Sequence, residues 1–226
     1  ANAPNVDEGQ LADHPDLSHA EAMAGELRAR HFPIAFPEVF IREKSGFDCV
    51  VGNPPWEEAT VEKLGFWALR FPGLKSLNQK KQQSEIDKLE KGRPDLKAEY
   101  EARVAENQRI RKLLLSGPFP GMEIGDPDVY KAFVWRFWRL IHQDGRIGVV
   151  LPRSALSASG LQEWRETVLH HGNFHDVTML TNNRRWVFPE VHPQYTVGLV
   201  SIAGRPSADV QLRLRGPFRN LADYRS

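Results

Sequence analysis

The residues with the most chemical content are Asn53, Pro54, Pro55 and Trp56, which follow the apolar run FDCVVG without a break. Two consecutive prolines fix φ at both positions and remove two amide donors. Each also pushes the residue before it toward extended geometry. The product is a stiff loop at the carboxyl end of a strand, presenting one side-chain amide, free backbone carbonyls and a flat ring. A planar substrate carrying an amino group matches that set, with acceptors for its N–H bonds and a face for its ring.

The elements that must hold this loop are bounded by composition. The chain has 226 residues, enough for one α/β domain with a real core. Its 41% hydrophobic and 26% charged residues are ordinary for a globular chain. No apolar run approaches a membrane span and no signal-peptide pattern opens the sequence, so no membrane partner is expected. Cys49 is the only cysteine. Read as lying inside an apolar strand, it excludes a disulfide framework and points to a reducing, cytoplasmic compartment. The formal net charge of +1 is silent on nucleic acid. The histidines show no HExxH or Cys/His spacing; His170, His171 and His175 read as a helix end and its loop, and no metal site is expected.

Along the chain, residues 1–30 read as a polar linker and a short helix beginning near Ser18. The prolines of HFPIAFPEVF (31–40) forbid a long helix there. Phe47–Val51 reads as a buried strand, closing a segment 31–56 that carries the loop. Residues 57–126 show no strand alternation and read as a helical insertion. Its stretch 79–115 is helix-favouring, broken near Gly92–Pro94, with Ile86, Leu89, Leu96, Tyr100 and Val104 as a buried stripe. Between Arg70 and Lys112 twelve Lys and Arg face seven Asp and Glu. That excess leaves two readings open, a solvated hairpin and a phosphate-facing surface. Residues 127–204 resume an α/β rhythm. It runs through a helix over 129–142, a turn at Asp144–Gly145, the strand RIGVVLP buried on both faces, a helix over 159–170, and strands over 174–180 and 196–202. A mostly parallel sheet with an antiparallel hairpin near its end follows. Residues 205–226, with QLRLR, read as the start of a following region.

NPP and an aromatic after an apolar strand whose second residue is Asp48 resembles motif IV of amino-group methyltransferases. HFPIAFPEVF, GRIGVVLPRSAL (145–156) and EVHPQYTVGLVSI (190–202) extend the resemblance in order to the adenine-N6 DNA methyltransferases, and to the methylase part of type IIG restriction–modification and phage-defence enzymes. It covers most of residues 31–202. The fold it implies is a Rossmann-like class I methyltransferase fold from its fourth strand onward, with the helical insertion after NPPW. The implied partners are S-adenosylmethionine and double-stranded DNA with a flipped adenine. Asn53 Oδ1 and the Pro54 carbonyl would accept from the target amine. Trp56, where Tyr or Phe is commoner, would stack on the base, with His192 and Phe188 on its other side and Tyr195 nearby. Asp48 is the single cofactor-side candidate, and its family counterpart is mainly structural.

The family's glycine-rich cofactor turn and the acidic residue after its second strand are not found in the sequence, and in the type IIG order both precede motif IV. The expectation is therefore the back half of such a domain, completed by a missing N-terminal half or a partner subunit. A protein-glutamine or RNA amino-group methyltransferase, and a non-catalytic DNA-binding or assembly module of the same fold, are the competing readings.

Overall fold

The computed structural model describes residues 22, 24, 25, 30–56, 60–207 and 211–225. The chain forms two compact units, Ala1–Gly46 and Phe47–Ser226. The linker and the helix expected from Ser18 lie mostly outside the described residues. In the first unit the prolines of HFPIAFPEVF act as helix starters. Helices α1 (Phe32–Ala35) and α2 (Pro37–Phe40) are four residues each, and each has Pro in its first turn, where a missing N–H costs nothing.

The second unit is built on a five-stranded mixed sheet. Its strands are β1 (Phe47–Gly52), β2 (Ile141–Pro152), β3 (Asn173–Thr181), β4 (Thr196–Ala203) and β5 (Arg213–Phe218). The spatial order is β1-β2-β4-β3-β5. β1 runs parallel to β2 and β5 parallel to β3, while β4 lies between β2 and β3, antiparallel to both. Parallel and antiparallel pairings are thus equal in number, which corrects the mostly parallel expectation. The β3–β4 hairpin does not sit at the sheet's end, because its second strand enters the sheet beside β2. The architecture is α/β and Rossmann-like, with the parallel pair β1–β2 joined through helices and the parallel pair β3–β5 joined through β4. QLRLR, read from sequence as opening a following region, contributes β5 to the same sheet.

Helix α6 (Val129–Leu140) runs directly into β2, and α7 (Gln162–His171) connects β2 to β3. Both cover one face. Val134 and Trp135 of α6 and Trp164 and Val168 of α7 pack on Ile147, Val149, Leu151, Val177, Val200 and Ile202. The helix closes at Gly172, which is extended rather than left-handed (φ −152°). A Cβ there would meet the Ala203 carbonyl at 2.3 Å and the Trp138 ring at 2.6 Å, so close approach is what requires glycine.

The other face is open. Val51, Gly148, Val150, Leu199 and Ser201 line a groove of about 560 Å³. Two expectations are corrected here. The RIGVVLP strand is covered on its Ile147, Val149 and Leu151 side only. β1 is an outer strand, so Cys49 is exposed and Val51 is 81% exposed. The Asp144–Gly145 pair does not reverse the chain. β2 passes through it as an irregularity, with Phe47 registered on Ile141 and Cys49 on Arg146.

The insertion is helical: α3 (Lys63–Ala68), α4 (Gln79–Gly92) and α5 (Pro94–Ser116), the last two separated at Arg93. No strand occurs among its described residues. Phe66, Trp67, Leu74 and Ile86 form its own small core, flanked by Leu89, Leu96 and Tyr100. Many of its charges pair internally, as in Lys63–Glu90 at 2.7 Å and Arg70–Glu99 at 2.6 Å.

Candidate functional site

The loop after β1 starts from the core face. Gly52 sits there under α6, where a Cβ would come within 3.1 Å of the Phe137 ring. The chain then turns outward. Asn53 and Pro55 are exposed, Pro54 is buried, and Trp56 is half-buried against the main core. The Trp56 indole Nε1–H donates to the Val150 carbonyl of β2 at 3.4 Å. Its ring meets Phe188 edge-on, with centroids 6.3 Å apart at 83°. The Asn53 amide and the Pro54 carbonyl have no hydrogen-bond partner among the described residues. An exposed side-chain amide and a proline carbonyl therefore stand next in sequence to an oriented aromatic ring.

Of the other residues singled out by sequence, Phe188 touches Trp56, whereas His192 is exposed in a neighbouring cleft, its Nδ1 accepting from the Gln194 amide at 3.3 Å. No ring contact joins His192 to Trp56 among the described residues. Asp48 lies near the opposite end of β1, about 16 Å along the strand from Asn53. There its carboxylate meets His142 Nε2 at 2.9 Å. Since His142 Nδ1 accepts from the Asp144 amide at 3.0 Å, the imidazole carries its proton on Nε2 and donates it to Asp48. Asp48 thus pins β1 to the start of β2.

Sequence reasoning missed Asn182. It is fully buried just after β3 and organises the whole β3–β4 connection. Its Nδ2 donates to the carbonyls of Phe188 (2.9 Å) and Val191 (3.0 Å). Its Oδ1 accepts from the amides of Val187 (3.1 Å) and Phe188 (2.9 Å), and its own amide donates to the Tyr195 carbonyl at 2.8 Å. One side chain therefore sets the position of Phe188, and through it the edge that faces Trp56. The only hint in the sequence is an Asn pair at a strand end, a common turn composition.

A cleft of about 340 Å³ lies next to this connection, lined by Arg153, Ser154, His192, Gln194 and Tyr195. The Ser154 hydroxyl is 3.1 Å from that of Tyr130. Burial pushes the Tyr130 hydroxyl above its usual range; the bond to Ser154 opposes this and Asp128 adds to it, so the group stays protonated at neutral pH.

Among the described residues no group of three His, Cys, Asp or Glu side chains could hold a metal ion. The described strand ends do not form an S-adenosylmethionine site by themselves. β1 runs into two prolines without N–H groups, β2 into Pro152 and a short 3₁₀ turn, and β3 into the Asn182 connection. None is a glycine-rich turn opening a helix, so the residues present do not fit the cofactor's methionine end.

No family model and no curated protein matches the sequence. Among solved structures, a Listeria monocytogenes protein described as a class I S-adenosylmethionine-dependent methyltransferase is similar over 48% of this chain and 32% of its own, at 12% identity and a TM-score of 0.36. The DrdV–DNA complex is similar over 80% of this chain and 16% of its own, at 16% identity and a TM-score of 0.39. This chain spans about a third and about a sixth of the lengths of those two.

Proposed function

We propose that this chain supplies the target-amine side of an S-adenosylmethionine-dependent DNA methyltransferase acting on adenine N6, of the restriction–modification or phage-defence kind. The observation that carries the reading is the Asn53–Trp56 loop, with two unpartnered acceptors on a proline-stiffened turn at the carboxyl end of a strand, beside a ring held by Val150 and Phe188. Ligands of open α/β sheets bind at that end.

An exocyclic amine on a base is a poor nucleophile because its lone pair is delocalised into the ring. Asn53 Oδ1 and the Pro54 carbonyl, accepting its two N–H bonds, favour a pyramidal nitrogen and aim the lone pair outward. Such preorganised dipoles contribute a few kcal/mol where water is excluded. Trp56 replaces the stacking that a base loses on leaving the duplex. S-adenosylmethionine would supply an electrophilic methyl group. Its cradle would come from a separate N-terminal half or partner subunit; among the described residues β1 has no strand on its outer edge, which supports that arrangement. The lack of a glycine-rich turn favours one alternative, a non-catalytic DNA-binding or assembly module, for this chain on its own.

The test is transfer of labelled methyl groups to duplex DNA by the natural protein containing these residues. Asn53→Ala should lower turnover about 100-fold or more with the fold and DNA affinity kept. Near-normal transfer by that variant would remove the loop from the chemistry, and transfer to a protein acceptor in place of DNA would move the assignment to a protein-glutamine methyltransferase.

A further inference from the structure

We propose that Arg153 and the β3–β4 connection form a phosphodiester-binding cleft that grips the nucleic-acid backbone beside Trp56; this rests on the reading above that the substrate is DNA. Three observations converge on it. The first is the lining. Arg153, Ser154, His192, Gln194 and Tyr195 offer guanidinium, hydroxyl, imidazole and amide groups to the cleft, and no carboxylate lines it. The connection's one carboxylate, Glu190, lies outside that lining.

The second is unspent charge. The guanidinium groups of Arg153, which lines the cleft, and of Arg184 and Arg185, which stand on the same connection outside that lining, are exposed and have no hydrogen-bond or ion-pair partner among the described residues. Some arginines elsewhere are held by carboxylates, as Arg70 is by Glu99 and Arg215 by Asp176. A planar guanidinium with free N–H groups matches two phosphate oxygens at once.

The third is backbone conformation. Arg184 and Arg185 are consecutive and both left-handed, with φ of 54° and 60°. That region is unfavourable for side chains with a Cβ and is tolerated where surrounding structure dictates it. The surroundings do so here. The Arg185 amide donates to the Asn182 carbonyl at 2.8 Å, and Trp186 Nε1 donates to the Thr181 carbonyl at 2.7 Å, on either side of the strained pair. The two guanidinium groups therefore project from a turn that needs little further ordering on binding. The cleft also lies close to the amine site. Arg153 is three residues, about 10 Å of strand, beyond Val150, whose carbonyl holds Trp56.

The experiment is fluorescence anisotropy of this 226-residue chain with a labelled duplex carrying one unpaired adenine, titrated with KCl. Arg153→Gln should weaken binding about 5- to 10-fold near 0.1 M salt, irrespective of sequence, and reduce the slope of log K against log salt by about one. Arg184→Gly with Arg185→Gly should reduce the slope by about two while raising the melting temperature, because glycine relieves the left-handed positions. Unchanged affinity and slope in these variants would overturn the proposal. So would failure of the wild-type chain to bind the duplex, or equal displacement of the duplex by polyglutamate. A cleft that passes while Asn53→Ala still methylates DNA would sink the amine-site assignment alone. The reverse pattern would sink the cleft alone.

Discussion

At the scale of single residues, the molecule depends on one buried amide more than on any charged group. Asn182 makes four side-chain hydrogen bonds, all to the backbone of residues 187–191. Removing it leaves the Val191 carbonyl and the Val187 and Phe188 amides unpaired, each worth about 1–3 kcal/mol, while the Phe188 carbonyl keeps the Val191 amide at 3.2 Å. Partial relaxation and water entry reduce the sum, so Asn182→Ala should cost about 2–4 kcal/mol and lower the melting temperature by roughly 5–12 °C. It should also shift Trp56 emission as Phe188 leaves the ring edge. A wild-type melting curve would contradict this. Asn182→Asp should fare no better, since a buried carboxylate would face the Phe188 and Val191 carbonyls. The Asn53–Trp56 loop was legible in the sequence because proline geometry is local. Asn182 was not, because its partners are main-chain groups that any sequence supplies. Asp48 was legible as a strand residue ahead of the loop, but its place at the far end of β1 and its pairing with His142 required the register of β1 on β2.

At the scale of elements, local chemistry again separates what could be read from what could not. The helical insertion, its break at Gly92–Pro94 and the want of a long helix over 31–40 follow from propensity and proline alone, and the structure has them; that the prolines there start two four-residue helices was not read. Strand positions were also readable. Strand order was not, since nothing in the letters of TVGLVSI says that β4 enters between β2 and β3. β5 is the least anchored strand by burial, with five of its six residues exposed. Its polar tether is Arg215, whose guanidinium reaches Asp176 at 3.2 Å, while Thr178 donates to the same carboxylate at 2.8 Å. Partial burial pushes the Asp176 carboxyl up, but the bonds from Thr178 and Arg215 outweigh it and the net shift is downward. A carboxylate depressed in the folded state stabilises fully above its unfolded value, near 4, and loses that contribution as pH falls through the lower folded value. Asp176→Asn should therefore flatten part of the acid limb of a melting-temperature profile between about pH 5 and pH 2. It should leave the slope unchanged above pH 6. Equal acid limbs in variant and wild type would show that the tether contributes nothing.

At the scale of the whole molecule, no helix among the described residues is long and apolar enough to cross a membrane. The helical insertion carries its own core, apart from the sheet's. The sheet itself is one-sided, with α6 and α7 over one face and an apolar groove on the other. Beside that groove the outer edge of β1 has no partner strand among the described residues, and Val51 stands 81% exposed next to it. An unpaired edge is a row of idle N–H and C=O groups that will accept any strand offered. In concentrated solution the nearest strand on offer is the β1 of another molecule. The isolated chain should therefore be adhesive: its apparent mass by light scattering should climb with concentration, and it should keep poorly at high protein load. Val51→Lys places a charge on that edge without entering the core and should hold the chain monomeric. A wild-type chain whose scattering mass stays constant over a hundredfold concentration range would show that the edge is guarded after all.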